Sequence, residues 1–289
     1  MEKAISSQRL FKSRKSAILF YTAVLFILFL MVSPFFYVVS ASFQSEWAIK
    51  TGTSTLVPTE FTLKNYQDVF SSTEGSVSFS SHLSNSFKVG ILTCAISILV
   101  AVIAAYGLAR YEFPGREVIA RLMLFMYVFP TILAIFPIYN VLADLKLINT
   151  HFGLALVHTA LVAPFCAWLL RSFFNVIPKE IEEAARVDGA NRFIIIVYIL
   201  IPLSAPGILA AGMYALIYSW GETMFSSILI NSSSLKTIPV ALAGYMNHID
   251  LKWGRLLAGC SLNFVPLMFC FFPLLKTFLK GFTAGAVKE

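Results

Sequence analysis

The chain of 289 residues is 58% hydrophobic and only 13% charged, with 27 Phe and a formal net charge of +7. Soluble domains are usually about half apolar and about one quarter charged, so this composition excludes a soluble enzyme, a disordered chain and a secreted disulfide scaffold. In so apolar a chain, the excess of Lys and Arg indicates cytoplasmic membrane loops before it indicates nucleic acid.

Apolar runs long enough to cross a bilayer follow one another along the sequence. About 20 apolar residues span the hydrocarbon core, where only helices and closed barrels satisfy their backbone. The run from Phe193 to Gly221 is too long for one straight span and contains two prolines, so we expect the fifth span to begin near Leu203. The predicted fold is an all-α membrane protein with six transmembrane helices, at residues 17–39, 89–109, 122–143, 152–170, 203–230 and 256–275.

The first apolar run has two possible interpretations. Basic residues precede it and Val39-Ser40-Ala41 ends it, which is an arrangement that also occurs in cleavable signal peptides. The run has 23 residues, whereas a signal-peptide core has about 7–15. We therefore interpret it as an uncleaved membrane anchor.

The distribution of Lys and Arg predicts the orientation of the spans. With a cytoplasmic N-terminus, 15 of the 22 basic residues fall inside and 7 fall outside. Because positive charge concentrates in cytoplasmic loops, both termini are predicted to be cytoplasmic. Residues 171–203, between the fourth and fifth spans, then form the largest cytoplasmic loop.

That loop contains the start and stop signals of a short helix. Pro178 suits the first position of a helix, and the acidic residues Glu180, Glu182 and Glu183 favour its positive N-terminal end. Gly189 supplies a C-terminal stop, after which Asn191 can cap a second helix that leads into the fifth span.

One face of this predicted helix is suited to a partner surface. Ile181, Ala184, Ala185 and Asp188 are spaced i, i+3, i+4 and i+7, so they share a face. The two alanines leave that face flat, and the neighbouring carboxylates can pair with Arg or Lys of a partner. The residues alone also allow an ordinary amphipathic helix that lies at the membrane surface.

The loop resembles the signature of permease subunits of bacterial ABC importers. Glu183-Ala184-Ala185, Gly189, Ile199 and Pro202 match the family pattern, with Ile201 where the pattern has Leu. From about Pro58 to the end the chain is similar to carbohydrate permeases of the maltose-transporter G-subunit type. The matching segments are Phe61–Tyr66, Asn85-Ser86, Ala104–Arg110, Phe113–Arg116, Leu147–Thr150, Thr237–Val240 and Thr283–Lys288.

The resemblance implies an architecture and a set of partners. The fold is that of a type I ABC importer permease, with an N-terminal region at residues 1–57 and a permease core at residues 58–289. The partners implied are a second homologous permease, two cytoplasmic ATPase subunits, an extracytoplasmic solute-binding protein and membrane lipid, with no nucleic acid. The location implied is the bacterial inner membrane.

The resemblance also assigns roles to individual residues. The loop helix is the coupling helix that docks on one ATPase, and the C-terminal tail at residues 276–289 reaches toward the ATPase interface. The residues assigned to coupling are Glu180, Glu183, Ala184, Ala185, Asp188 and Gly189, and those assigned to the tail contact are Thr283, Ala284 and Gly285. The sequence has no Gly-Lys dipeptide and hence no phosphate-binding loop of the Gly-x-x-x-x-Gly-Lys type. ATP-Mg therefore belongs to the partner subunits, this chain binds no cofactor, and it is not an enzyme.

Residues at the end of the fifth span are candidates for the solute pathway. A carboxylate at bilayer depth is costly and must face protein or water, so Glu222 either hydrogen-bonds to a neighbouring helix or lines a cavity. The aromatic rings of Tyr218 and Trp220 can offer faces to a sugar. The same ionisable group leaves open a second function, a stand-alone ion-coupled carrier, for which His158 is the other candidate residue.

Overall fold

The structure is a computed structural model that describes residues 14–58, 60–71, 77–126, 129–246 and 251–286, without the side chains of Arg14 and residues 272–286. Its regular elements are helices, in agreement with the predicted all-α fold. The α-helices are α1 (Arg14–Ser42), α2 (Glu46–Lys50), α3 (Lys64–Ser71), α4 (Phe79–Arg110), α5 (Arg116–Phe125), α6 (Ile135–Asp144), α7 (His151–Val176), α8 (Lys179–Val187), α9 (Arg192–Ile194), α10 (Ile201–Leu203), α11 (Ala205–Gly221), α12 (Met224–Leu229), α13 (Ile238–Tyr245) and α14 (Trp253–Ala286). Short 3-10 turns occupy Thr131–Ala134 and Ser233–Leu235, and a π-helical stretch occupies Ile195–Leu200.

Four helices in the described ranges are long and apolar enough to cross a membrane, namely α1, α4, α7 and the first part of α14. They coincide with the predicted first, second, fourth and sixth spans. A fifth span results if the bent pair Arg192–Leu203 and Ala205–Gly221 is counted as one crossing. The prediction of six continuous spans is therefore confirmed only in part.

Two predicted spans are interrupted. The third, at residues 122–143, consists of the end of α5, a 3-10 turn after Pro130, and α6. Proline has no N–H to donate, which favours a break in the helix there. The fifth is not continuous to Ile230, because α11 ends at Gly221 and Glu222 has extended backbone angles (φ −73°, ψ 125°) before α12 begins.

The structure has a break next to Leu203, where the fifth span was predicted to begin, and α11 starts at Ala205. The helical segments on either side of Ser204 are bent by 84°. Ser204 leaves helical geometry (φ −97°, ψ 16°), and Pro206 stands in the first turn of α11. Proline is tolerated at that position because the amide donors of a first turn have no intrahelical acceptor.

The chain divides into two compact units, of which the first contains residues 1–69 and 250–261. Within this unit, the Asn65 side chain donates hydrogen bonds of 2.8 Å to the carbonyl oxygens of Ser42 and Gln44. The Glu46 carboxylate accepts hydrogen bonds from the first two amides of α14, those of Trp253 (2.9 Å) and Gly254 (2.7 Å). The segment after α1 is thus folded, with its carboxylate at the positive end of a helix.

The second unit contains residues 70–249 and 262–289 and is built around α4, α7 and α11. Small residues allow these helices to approach closely. On α11, Gly207, Ala211 and Ala215 recur every four residues and are buried, and a Cβ atom at Gly207 would lie 2.5 Å from the Phe173 ring on α7. The sulfur of Cys166, also on α7, lies 3.5 Å from the carbonyl oxygen of Ala211. The domain boundary near residue 57 stays a prediction.

Candidate functional site

Helix α8 is the helix predicted within residues 171–203. It covers Lys179–Val187, and Pro178 precedes it as the N-cap rather than as its first residue. Gly189 has φ +89°, a left-handed conformation that is strained for residues with a side chain, and its amide donates to the carbonyl oxygen of Arg186 (3.0 Å). The predicted stop is therefore confirmed. So is the cap at Asn191, whose Oδ1 accepts the amide of Ile194 (2.9 Å).

The exposed surface of α8 departs from the face predicted from spacing at one residue, Ala185. Glu180, Glu183, Ala184 and Val187 are exposed, with Val187 at 89%, and they follow the spacing i, i+3, i+4, i+7. Ala185 is half-buried and packs against the core of the second unit. Of the two alanines only Ala184 therefore belongs to the open surface. Ile181 is also exposed, at 41%, and Asp188 is exposed just after the end of the helix.

The buried face of α8 is held by an ion pair. The Nε atom of Arg110, in the last turn of α4, donates to Oε1 of Glu182, and both side chains are almost fully buried, with exposures of 6% and 2%. The Nη2 atom of Arg110 also donates to the carbonyl oxygen of Ile177, just before α8 (3.1 Å). Arg186 approaches the other Glu182 oxygen at 3.9 Å. The sequence did not single out Glu182 for this role, because three carboxylates within four residues fit the helix N-terminus equally well.

A second ion pair lies at the same end of α4 and α7. Nη2 of Arg171 donates to Oε1 of Glu117, and Arg116 lies 3.3 Å from the same oxygen. The hydrogen bond from Arg171 is the main cause that lowers the pKa of the Glu117 carboxyl below its ordinary value. Arg192 lies over the ring of Tyr111, 5.3 Å from its centroid. Arg110, Arg116 and Arg171 line one cavity together with Lys179 and Glu180 at the start of α8.

Glu222 is the centre of a second polar cluster, between α11 and α12. Its Oε1 accepts the amide of Phe225 (2.8 Å), and its Oε2 accepts the amide and hydroxyl of Ser226 (both 2.9 Å). Nε2 of His158, on α7, lies 3.0 Å from Oε2, and Nδ1 of His158 lies 2.9 Å from Oγ of Ser219. A carboxylate only accepts hydrogen bonds, so Nε2 carries the proton, and in the neutral ring Nδ1 accepts from Ser219. Glu222 therefore caps α12 and joins it to α7.

The two aromatic candidates differ in their surroundings. Trp220 is 2% exposed, its Nε1 donates to Oδ1 of Asn263 (2.7 Å), and its ring packs edge-to-face on Phe87 (4.8 Å). Tyr218 is half-buried, and its ring lies 6.1 Å from the His158 ring and 6.5 Å from that of Tyr214. Only Tyr218 has a ring that is partly open in this conformation.

The tail residues assigned to a partner contact, Thr283, Ala284 and Gly285, lie in the last turns of α14, and their side chains are outside the described part.

Within the described ranges, no group of three or more His, Cys, Asp or Glu side chains is arranged to hold a metal ion. The features that remain are a bundle of long apolar helices, an acidic helix with one exposed face, and a buried ionic cluster. The apolar helices indicate an integral membrane protein.

Comparisons with known proteins specify the class. The family described as "Binding-protein-dependent transport system inner membrane component" matches residues 97–281, and the chain belongs to this family. The inner membrane ABC transporter permease protein YcjP of Escherichia coli (strain K12) is 31% identical over 278 residues, which cover 96% of this chain and 98% of YcjP. The trehalose/maltose transport system permease protein MalG of Thermococcus litoralis is 30% identical, over 88% of this chain and 91% of MalG. The protein is thus a multi-pass component of the bacterial inner membrane.

A solved structure supports the fold. A chain of a bacterial ABC transporter involved in the import of the acidic polysaccharide alginate matches with a TM-score of 0.74 at 22% identity. The match covers 93% of this chain and 99% of that chain. At this identity the likeness establishes the ABC importer permease fold and does not extend to the solute.

Proposed function

We propose that this chain is one permease subunit of an ATP-driven, binding-protein-dependent importer and forms half of the pathway for a sugar, an oligosaccharide or a related solute. The family supports the transport role, and relatives named for trehalose and maltose transport support the solute class. The complete importer contains a second homologous permease, two cytoplasmic ATPase subunits and an extracytoplasmic solute-binding protein. ATP and Mg²⁺ are bound by the ATPase subunits, and this chain carries no cofactor and no catalytic activity.

The exposed face of α8 is the observation that carries the coupling role. Glu180 and Glu183 present carboxylates that attract a basic surface. The small side chain of Ala184 lets a partner approach the middle of the helix closely, and Val187 adds exposed apolar area. A helix that offers an apolar strip with charges beside it fits a groove on a partner. Asp188 and Gly189 end the helix sharply, and Thr283, Ala284 and Gly285 supply the tail contact to the same ATPase layer.

The topology of the proposal has six crossings with both termini in the cytoplasm. The segment from α5 to α6 makes the third crossing despite its interruption, and α8 lies in the cytoplasm. Broken helices are tolerated at membrane depth where the irregular backbone is buried in protein or lines a water-filled cavity. The basic residues around α8 agree with a cytoplasmic position.

The solute pathway passes the end of α11. The half-buried ring of Tyr218 is assigned to contact with the solute, because ligand sites combine aromatic faces with a few polar groups. Glu222 and Trp220 shape the wall behind it, since both are held by neighbouring residues. Replacement of Tyr218 by Leu is expected to lower solute uptake more than it lowers the amount of assembled permease.

The proposal is tested by purification of the full-length chain from its native membranes. We expect an ATPase subunit to co-purify, and Glu183→Lys to reduce its recovery by about tenfold or more, because like charges across an interface cost several kcal/mol. Asp144→Lys is the matched control, with the same charge change at an exposed residue at the other end of the bundle. A wild-type chain that reaches the membrane and yet recovers no ATPase would refute the proposal.

A further inference from the structure

The ion pair between Arg110 and Glu182 joins three parts of the chain at one point. Arg110 is the last residue of α4, Glu182 lies on the buried side of α8, and Ile177, which accepts the second hydrogen bond from Arg110, lies between α7 and α8. Helix α8 is connected to α7 and α9 by the chain itself. In the described structure, α8 has polar connections to α4 through Arg110 and through Arg186, whose side chain interacts with the hydroxyl of Tyr106 on α4.

The environment of the pair makes this connection strong. Both side chains are nearly excluded from solvent, so separating them would leave a buried charge without its partner, which is strongly unfavourable. Arginine also holds a fixed fork geometry, and here two of its nitrogens are engaged with two different acceptors. The end of α4 and the buried side of α8 are therefore expected to move together.

The two sides of α8 face different surroundings. Glu183, Ala184 and Val187 are exposed on one side of α8. Glu182 is buried and Ala185 is half-buried on the other side, which faces the inner helices of the same unit. On that inner side, α4 packs along both α7 and α11, with buried alanines such as Ala101 and Ala105 in the contact. A displacement of α8 from its open side would pass through the ion pair into this helix bundle.

We propose that the Arg110–Glu182 pair is the link that transmits movement of α8 to α4, with both residues acting as positioning residues. This inference rests on the proposed function, in which a partner ATPase moves α8. It adds that the force reaches the membrane helices through α4 as well as through the chain connections to α7 and α9. The pair is then required for transmission and not for the docking of the ATPase.

The test compares two reporter positions in the assembled importer, in a cysteine-free background. Val187→Cys reports docking on the open face of α8, and Ser80→Cys reports movement at the opposite end of α4, where Ser80 is exposed. Maleimide labelling is measured in the purified complex with and without Mg²⁺-ATP, so no knowledge of the solute is needed. In the wild type, we expect Mg²⁺-ATP to change the labelling rate at both positions by about threefold or more.

The deciding variants remove the pair in two ways. Glu182→Gln keeps the shape of the side chain and removes its charge. The double variant Arg110→Met, Glu182→Leu removes both charges, and such apolar replacement of a buried ion pair is often neutral for stability. In both variants, we expect the response at position 187 to stay as in the wild type and the response at position 80 to fall to a ratio of about 1.

The outcomes separate this inference from the proposed function. A wild-type response at position 80 in either assembled variant overturns the link. Failure of both variants to assemble also overturns it, because the pair is then a folding requirement. Absence of any ATPase or of any nucleotide response in the wild type would instead refute the proposed function.

Discussion

Replacement of Glu222 by Gln tests whether this carboxylate holds the break between α11 and α12. Glu222 accepts four hydrogen bonds, from the amides of Phe225 and Ser226, the hydroxyl of Ser226 and the ring of His158. A glutamine amide has one acceptor oxygen and one NH₂ group that only donates. The hydroxyl and the imidazole can reorient to accept from this NH₂ group, but a backbone amide cannot.

The cost follows from the amide that loses its acceptor. Whichever way the new glutamine side chain is oriented, its NH₂ group meets the amide of Phe225 or that of Ser226. A buried donor without an acceptor costs about 1–3 kcal/mol, and hydrogen bonds to a charged acceptor are stronger than neutral ones by about 1 kcal/mol. We therefore expect Glu222→Gln to lower the free energy of unfolding by about 2–4 kcal/mol. That loss corresponds to a fall of about 4–16 °C in melting temperature, since each kcal/mol shifts it by about 2–4 °C in chains of about 150–250 residues.

The detergent-solubilised chain is heated to a series of temperatures, and the fraction that has not aggregated is measured by size-exclusion chromatography. The melting temperature is the temperature at which half of the chain is lost. Glu183→Gln is the matched control, because it makes the same change at an exposed carboxylate of α8 and should leave the melting temperature within about 1–2 °C of the wild type. An unchanged melting temperature for Glu222→Gln would refute the capping role. If uptake of the solute falls by more than the loss of folded permease explains, Glu222 also acts in the pathway.

Two further predictions concern other parts of the chain. Gly254→Ala should destabilise the protein by about 2–4 kcal/mol, because the new Cβ would lie 2.3 Å from Oδ1 of Asn65 and displace its two hydrogen bonds. Gly107→Ala is the control, because a Cβ at Gly107 meets no atom within 4 Å. Alanine stabilises a helix interior relative to glycine by about 0.5–1 kcal/mol, so this variant should not lose stability. Equal melting temperatures for the two variants would contradict the packing at Asn65. For Glu117, whose pKa is lowered below its ordinary value of 4.5 by Arg171, the contribution to stability is present above that value and is lost as the pH falls through the lowered pKa. Glu117→Gln should therefore melt slightly below the wild type at pH 7, and the difference should disappear in acid; a difference that grows as the pH falls would contradict this assignment.

The sequence by itself determined the elements whose signals are local. Composition and the length of the apolar runs gave an all-helical membrane protein, and Gly189 and Asn191 gave the end of α8 and the start of the next helix. These residues act on the backbone within a few positions, through a left-handed φ at Gly189 and a side-chain cap at Asn191. The prolines around Ser204 likewise located the bend before α11, because a proline lacks the N–H group and so interrupts helical hydrogen bonding at its own position.

The tertiary structure alone decided which side of each helix is buried. In a membrane protein, lipid-facing and buried surfaces are both apolar, so hydrophobic periodicity does not separate them. For this reason the sequence offered Trp220 as an open ring. It grouped Ala184 with Ala185 because only the neighbouring helices decide which of the two packs inward, and it extended the fifth span through Glu222 because the break there depends on hydrogen bonds of that side chain. Trp220 is covered by Phe87 and Asn263, which come from distant parts of the chain. Glu182 turns inward because Arg110, 72 residues away in the sequence, supplies the buried charge that pairs with it.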